Sequence, residues 1–208
     1  GLDIPPVKRQ KQQGRPITKF FQTPSFLSGL IAAALGYCIM TFLMTATPLQ
    51  VVDVSRLSHE ANARVIQWHV VAMFAPSLFS GVLIAKFGVG KILWAGLACY
   101  VAASMIALSG TGFYIYLGAL IFLGIGWNFL YVGGSSVIAN SASPEERGRV
   151  QGIADFCIFS VVATASMLSG MAHSELGWAV MMMIAFAPIF LIAVALIIGK
   201  PKLTNQPA

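Results

Sequence analysis

Residues 113–138 read FYIYLGALIFLGIGWNFLYVGGSSVI, a run without one charged side chain. As a helix rising 1.5 Å per residue it is about 39 Å long, enough to cross the ~30 Å hydrocarbon core of a bilayer. A surface helix of a soluble domain would need a charged face along that length, and this run has none to offer.

The rest of the chain repeats the pattern. Of 208 residues, 57% are apolar and 10% charged, against roughly 25% charged in an ordinary soluble domain. A water-soluble globular domain is therefore excluded, because the charged skin it needs is missing. Six apolar stretches are expected as membrane-spanning helices: 24–52, 65–85, 92–109, 113–138, 150–171 and 178–198. The fold class is all-α, a polytopic membrane protein. Residues 1–24 form a basic arm or linker, 25–199 the six-helix transmembrane domain and 200–208 a short tail. Thr23-Pro24 has the pattern of an N-cap followed by proline at the first helical position. Pro48 is expected to kink the far end of the first span. Ser143-Pro144-Glu145-Glu146 has the form of a capping box ahead of the fifth. The arm lacks a basic segment running directly into an apolar one, so it is not expected to be a signal peptide. With Gly1 rather than Met at the start, the chain is expected to begin partway through a longer protein.

Basic residues are held on the cytoplasmic side during insertion. Lys8, Arg9, Lys11, Arg15, Lys19, Lys86, Lys91, Arg147, Arg149, Lys200 and Lys202 fall on one side of the six spans, and only Arg56 and Arg64 on the other. Both termini are thus expected in the cytoplasm. The net charge of +6 is accounted for by an anionic inner leaflet, with no nucleic-acid partner. Cys38, Cys99 and Cys157 sit in apolar stretches with no CxxC pair and no histidine at ligand spacing, so they are expected as small buried side chains, with no metal and no cofactor.

Polar side chains at membrane depth need a partner, a cavity or a function. Tyr37, Thr41, Thr45 and Pro48 share one face of span 1. Span 2 carries Gln67, Trp68 and His69, and the His69 face continues through Met73, Pro76 and Ser80. Gly124, Asn128, Tyr131 and Ser135 form a stripe on span 4, and Gln151, Asp155 and Ser166 lie on one side of span 5. Spans 1, 2, 4 and 5 are therefore expected to face a shared interior, with 3 and 6 outside. Gln67, His69, Asn128 and Tyr131 are the candidate solute contacts, with Trp68 and Trp127 as stacking or packing walls. Each has a structural alternative: Ser and Thr bond back to their own helix, Asn bridges helices, and a histidine settles in an interface. Ala32 with Gly36, and Ser77 with Gly81, suit close helix packing. Asp155, the one carboxylate inside a span, either loads and releases a proton or is kept charged by water, Arg149 or Lys91.

The connection between spans 2 and 3, Gly81-Val82-Leu83-Ile84-Ala85-Lys86-Phe87-Gly88-Val89-Gly90-Lys91, resembles the G-x-L-a-D-r-x-G-r-r loop of the major facilitator superfamily, with Ala85 standing where the family has Asp. Pro144-Glu145-Glu146-Arg147-Gly148-Arg149-Val150-Gln151-Gly152 is similar to that superfamily's P-x-x-R-g-r-x-x-G connection between helices ten and eleven. Thr45–Leu49, TATPL, resembles its seventh helix. The resemblance covers about residues 20–200. It implies the C-terminal six-helix half of a twelve-helix secondary transporter, with the helices matching spans 1, 2, 4 and 5 lining the path. It also assigns Gly81, Lys86, Gly88, Lys91, Glu146, Arg147 and Arg149 to gating loops.

Other six-helix classes lack their required residues. Gly133-Gly134-Ser135-Ser136 is no GxSG nucleophile, so an intramembrane protease, and with it an enzyme, is not expected. Aquaporin Asn-Pro-Ala caps are absent, the carrier motif P-x-[DE]-x-x-[RK] occurs once instead of three times, and residues 85–91 lack the termini of a phosphate-binding loop. The expected function is half of a permease of the bacterial inner membrane. It would move a small solute by alternating access, with a proton exchanged at Asp155, against an N-terminal half or a second copy. A non-transporting scaffold or sensor, or a self-dimerising carrier, is the alternative.

Overall fold

Uninterrupted apolar sequence makes long helices in a medium where every backbone amide must be satisfied within its own segment. The computed structural model describes residues 14–203. Its elements are α1 (Ile17–Phe21), α2 (Pro24–Pro48) continued by a π-helical stretch (Leu49–Val54), α3 (His59–Phe74), α4 (Ser77–Phe87), α5 (Val89–Leu108), α6 (Phe113–Asn140) and α7 (Arg147–Gly199). No strand occurs among the described residues.

By length and composition four helical runs can cross a membrane, and α3 with α4, bent by 41°, pass the same test together and make a fifth where the pair is one span. The sixth lies inside α7. Its 53 residues would extend about 80 Å as one straight helix, more than twice the bilayer core. Gly177, at φ 77° and ψ 168°, divides it into arms 147–176 and 178–199. Glycine is the residue that adopts this conformation without a Cβ clash.

Local chemistry moves several expected boundaries. The second span begins at His59 rather than 65, because the Ser58 hydroxyl accepts the Ala61 N–H at 3.1 Å and Glu60 pairs with Arg64 at 2.6 Å one turn on. Thr23 stands at the N-cap of α2 but does not cap it with its side chain; its hydroxyl donates back to the Lys19 carbonyl at 3.1 Å. Pro48 does not end α2, which widens beyond it into π-helical turns that carry Gln50 inward, 4% exposed. There His173 donates to Gln50, and Gln50 to the Tyr116 hydroxyl, at 3.0 and 2.9 Å. Cys38, Cys99 and Cys157 are free and half-buried rather than fully buried.

The central element is α6, which packs on α2, α3 and α5. Its glycines set the approach. A Cβ on Gly134 would stand 2.5 Å from the Gly29 carbonyl oxygen of α2, and one on Gly124 2.7 Å from the His69 carbonyl of α3. Gly36 faces Leu130 of α6 in the same way, where a Cβ would meet the leucine Cβ at 2.9 Å. Close packing of backbones replaces the hydrophobic drive that lipid cannot supply between helices. The second small pair expected from sequence is not a packing contact, since Gly81 faces open space. Large apolar residues are exposed on α4 (Leu78, Phe79, Val82) and along the second arm of α7 (Phe190, Ile197, Ile198), as lipid-facing or partner-facing surfaces are.

At the basic end, the last part of the N-terminal arm is folded down. Phe20 is 3% exposed, packed with Phe26 against Ile138 and Val150. Arg15 clasps Glu146: its backbone N–H donates to Oε1 at 2.6 Å, its Nη2 to Oε2 at 2.8 Å, and its Nη2 also to the Ser141 carbonyl at 2.9 Å. Arg149 donates to the Arg15 carbonyl. Glu146 also completes half of the expected capping box, accepting the Ser143 N–H at 3.1 Å. The Arg15 guanidinium first, then the Arg15 and Ser143 amides, hold the Glu146 carboxyl down at about 2. A depressed carboxylate stabilises above its unfolded value and loses that contribution as pH falls towards its folded one. The wild-type advantage in thermal unfolding over Glu146→Gln is therefore expected in full near neutrality and to shrink from roughly pH 4.5 downward. A difference between the two proteins that stays constant from pH 7 to 3 would exclude the clasp as its source.

Candidate functional site

The aromatic residues of four spans converge on one side of α6. Trp127 and Tyr131, one turn apart on α6, lie nearly parallel, at 7°, with centroids 5.3 Å apart. Tyr37 of α2 meets them edge-on at 5.2 and 5.3 Å. Phe74 at the end of α3 abuts Trp127 at 5.8 Å, and Phe159 of α7 closes on Tyr37 at 5.7 Å. Edge-to-face and offset contacts of this kind satisfy the ring quadrupoles and hold each ring in place.

Beside this cluster lies a cavity of about 340 Å³ lined by Tyr37, Met40, Thr41 and Met44 of α2, Val70, Met73 and Phe74 of α3, and Val162, Ala163 and Ser166 of the first arm of α7. Polarizable thioethers and ring faces surround it, with the Thr41 and Ser166 side chains as its hydroxyls. Such a lining suits a flat, conjugated, uncharged solute with a few hydrogen-bonding groups. The Trp127 indole Nε1 is buried without a hydrogen-bond partner, so a donor stands unused in the cluster. A second cavity, about 350 Å³, lies on the other side of α2 between Cys38, Phe42, Leu168 and Pro188. Its Thr164 hydroxyl is spent on the Ser160 carbonyl at 3.0 Å. Nothing there orients a solute, and we assign the site to the aromatic cavity.

The sequence candidates separate once placed. Trp127 and Tyr131 belong to the cluster. Gln67 is exposed on α3, two turns before Phe74 on the same face. Trp68, 53% exposed, takes part in none of the ring contacts above. His69 turns away from the cavity into the α3–α6 seam, fully buried, with Nδ1 2.7 Å from the Leu120 carbonyl. Since a carbonyl only accepts, Nδ1 carries the proton, and Nε2 is buried without a partner.

Asn128 holds the bend between α3 and α4. Its Nδ2 donates to the Met73 carbonyl at 2.8 Å and to the Ser77 hydroxyl at 2.6 Å, while its Oδ1 accepts from Ser80 at 2.7 Å. Pro76 has no N–H to give to the Ala72 carbonyl, and the helix breaks there; the Met73 carbonyl, left at the break, takes its donor from Asn128 of α6. The amide is engaged within the chain and sets where Phe74 ends.

Asp155 is half-buried one turn below Phe159 on the same arm. Gln151 donates to its Oδ1 at 2.8 Å, and it lies within electrostatic reach of Tyr131. Neither Arg149 nor Lys91 pairs with it: the ion pairs among the described residues are Arg15–Glu146 and Arg64–Glu60. Of the gating-loop residues, Gly88 at φ 85° makes the α4–α5 turn. Lys86, Lys91 and Arg147 are exposed, and Glu146 and Arg149 form the clasp with Arg15. No group of His, Cys, Asp or Glu that could hold a metal occurs among the described residues.

Phe74, Phe159, Met40 and Met44 were not among the sequence candidates, whereas Met73 was placed on the His69 face. Helical spacing carried a signal for each: Phe74 is seven residues after Gln67, Met40 and Met44 three and seven after Tyr37, and Phe159 four after Asp155.

The model of the Major Facilitator Superfamily matches residues 30–207. Among curated proteins, the riboflavin transporter RfnT of Brucella anthropi is 42% identical over 190 residues, covering 91% of this chain and 48% of that protein. Two proteins of Bacillus subtilis described as uncharacterized MFS-type transporters are also similar. YddS is 34% identical over 71% of this chain, and YdeG 32% identical over 69%, each match covering 34% of the relative. The chain thus spans about half the length of the first relative, and its matches to the other two cover about a third of theirs.

Proposed function

The chain belongs to the Major Facilitator Superfamily, and from that premise we propose that it is the C-terminal six-helix half of a secondary active transporter for a flavin-like solute. The family and its named relatives are transporters, not enzymes. The observation that carries the proposal is the aromatic-walled cavity where α2, α3 and α7 meet on the Trp127–Tyr131 side of α6. A planar ring system gains stacking and dispersion from the Tyr37 and Phe74 walls, which Trp127 backs from α6. The riboflavin transporter among the relatives supports this class of solute.

Completion of the site falls to a second bundle. The exposed flank of α3 and α4, with Gln67, Phe74 and Leu78, and the first arm of α7, with Phe156 and Met167, supply the face against which an N-terminal half, or a second copy, rocks in alternating access. The basic end faces the cytoplasm of a bacterial inner membrane, as the distribution of Lys and Arg favours. Asp155 carries the coupling proton: it is half-buried, and among the described residues its partner is the Gln151 amide and no cation, so a proton taken there breaks no ion pair.

The full-length protein reconstituted into vesicles tests both parts. Riboflavin is expected to accumulate against its gradient when the outside is acidic. Asp155→Asn is expected to reduce that accumulation to the level of empty vesicles while preserving exchange of labelled for unlabelled riboflavin. Unchanged gradient-driven uptake by Asp155→Asn would remove the proton role alone; no flavin exchange by the wild type would remove the solute assignment. Transport by residues 1–208 alone would favour a self-assembling carrier over a half needing a different partner.

A further inference from the structure

We propose that the cavity between the α4–α5 turn and the end of the described chain binds the phosphate of an anionic phospholipid. It measures about 330 Å³, and Phe87, Gly90, Lys91, Pro201, Lys202 and Leu203 are among its lining. The walls are built rather than incidental. Gly88 turns the chain at φ 85°, and Lys200, at φ 40° and ψ 57°, ends α7 in a left-handed residue that sends the tail back across that turn. Pro201 is buried, its carbonyl 3.3 Å from where a Cβ on Gly90 would stand.

Among the described residues no carboxylate pairs with the lysines of the cavity. Lys91 and Lys202 are exposed, and neither belongs to an ion pair among the described residues. Lys86 adds a third ammonium 5.3 Å from the Phe87 ring centroid. No Asp or Glu occurs anywhere in residues 65–144 or 176–208. The first turn of α5, Val89 to Lys91, lines the cavity and has no side-chain cap, which adds the positive end of a helix. Two or three cations around one concave site suit a phosphate.

The apolar part decides between a lipid and a free anion. Phe87 is 45% exposed beside the lysines, and Trp94, three residues into α5 from Lys91, is 43% exposed. An aromatic at that depth and an open apolar rim accommodate glycerol and acyl chains, for which inorganic phosphate has no counterpart. A zwitterionic headgroup brings its own cation into a site already rich in them. The inference needs only that the chain lies in a membrane, and stands apart from the solute assignment.

Native mass spectrometry of the delipidated full-length protein, titrated with phosphatidylglycerol, phosphatidylcholine or inorganic phosphate, tests it. Wild type is expected to retain phosphatidylglycerol in preference to phosphatidylcholine. Lys91→Ser with Lys202→Ser is expected to lower that retention roughly tenfold or more, the effect of removing two lysines near an anionic surface. Arginine at both positions preserves it, and Lys19→Ser, which removes a basic charge elsewhere at the same end, leaves it unaltered. Should the serine pair fail to fold, the glutamine pair carries the same expectation. Unchanged retention in the double variant, an equal loss in Lys19→Ser, or equal binding of phosphatidylcholine would overturn the proposal. Displacement of the lipid by equimolar inorganic phosphate would make this a free-anion site and overturn it as well.

Discussion

Replacing Gly134 with valine is expected to leave the full-length protein unable to hold its bundle, so that it elutes as aggregate in fluorescence-detected size exclusion. The glycine sits where α6 crosses α2, and a Cβ there would stand 2.5 Å from the Gly29 carbonyl oxygen and 3.0 Å from Ala33. The obstructing atom belongs to the backbone of a central helix, so no side chain can swing aside. Overpacking typically costs about 1–3 kcal/mol when side chains can adjust. Here α2 itself must move, which also strains the Gly36–Leu130 contact two turns away. Against a total stability of roughly 5–15 kcal/mol, that is a large fraction. Gly152→Val is the matched control, since no atom lies within 4 Å of its added Cβ, and it is expected to elute like wild type. Equal behaviour of the two variants would mean that the α2–α6 approach does not limit assembly.

The second large effect concerns the solute. Trp127→Ala removes the ring that stacks on Tyr131 and anchors Tyr37 and Phe74. Riboflavin affinity in the reconstituted protein is expected to fall roughly 10- to 100-fold, as the loss of about 1.4–2.8 kcal/mol implies. Some of that loss is structural, because three neighbours lose a packing surface. Trp127→Phe separates the two contributions. It keeps a ring but deletes the indole N–H, which is buried without a partner in the unliganded chain. If a substrate acceptor takes that donor, affinity is expected to drop about tenfold while thermal stability of the unliganded protein holds or rises, since an unsatisfied buried donor has been removed. A fall in stability with no change in affinity would show that Trp127 serves packing alone.

The span pattern and family were legible in the sequence, and particular residues explain why. A run such as 113–138 has to be helical and has to cross, because lipid offers no partner for a backbone amide left open. Proline and glycine mark the breaks, though not their form. Pro76 stands at the bend within the second span, and Pro48 is followed by π-helical turns. Gly177 folded one long helical run into two crossings with a single left-handed residue and no intervening loop. The periodic faces identified Tyr131 as a member of an inward stripe, with Trp127 beside it as a wall. They did not reveal that His69, adjacent to Gln67 and Trp68, points into a helix seam while Phe74 ends at the cavity.

Hydrophobicity and spacing therefore determined that this chain is a set of apolar helices in a bilayer, basic at one end, and the loop motifs carried the resemblance to a transporter family. Those properties belong to single segments, and each segment meets the same one-dimensional demand from lipid. What each polar or aromatic group does was decided by contacts between segments far apart in sequence. Asn128 meets Met73, Ser77 and Ser80, and Arg15 reaches Glu146 across 131 positions. Whether a buried amide steadies a bend or greets a solute depends on which donor or acceptor the neighbouring helix presents at that height, and no period along one helix encodes the rotation of the next.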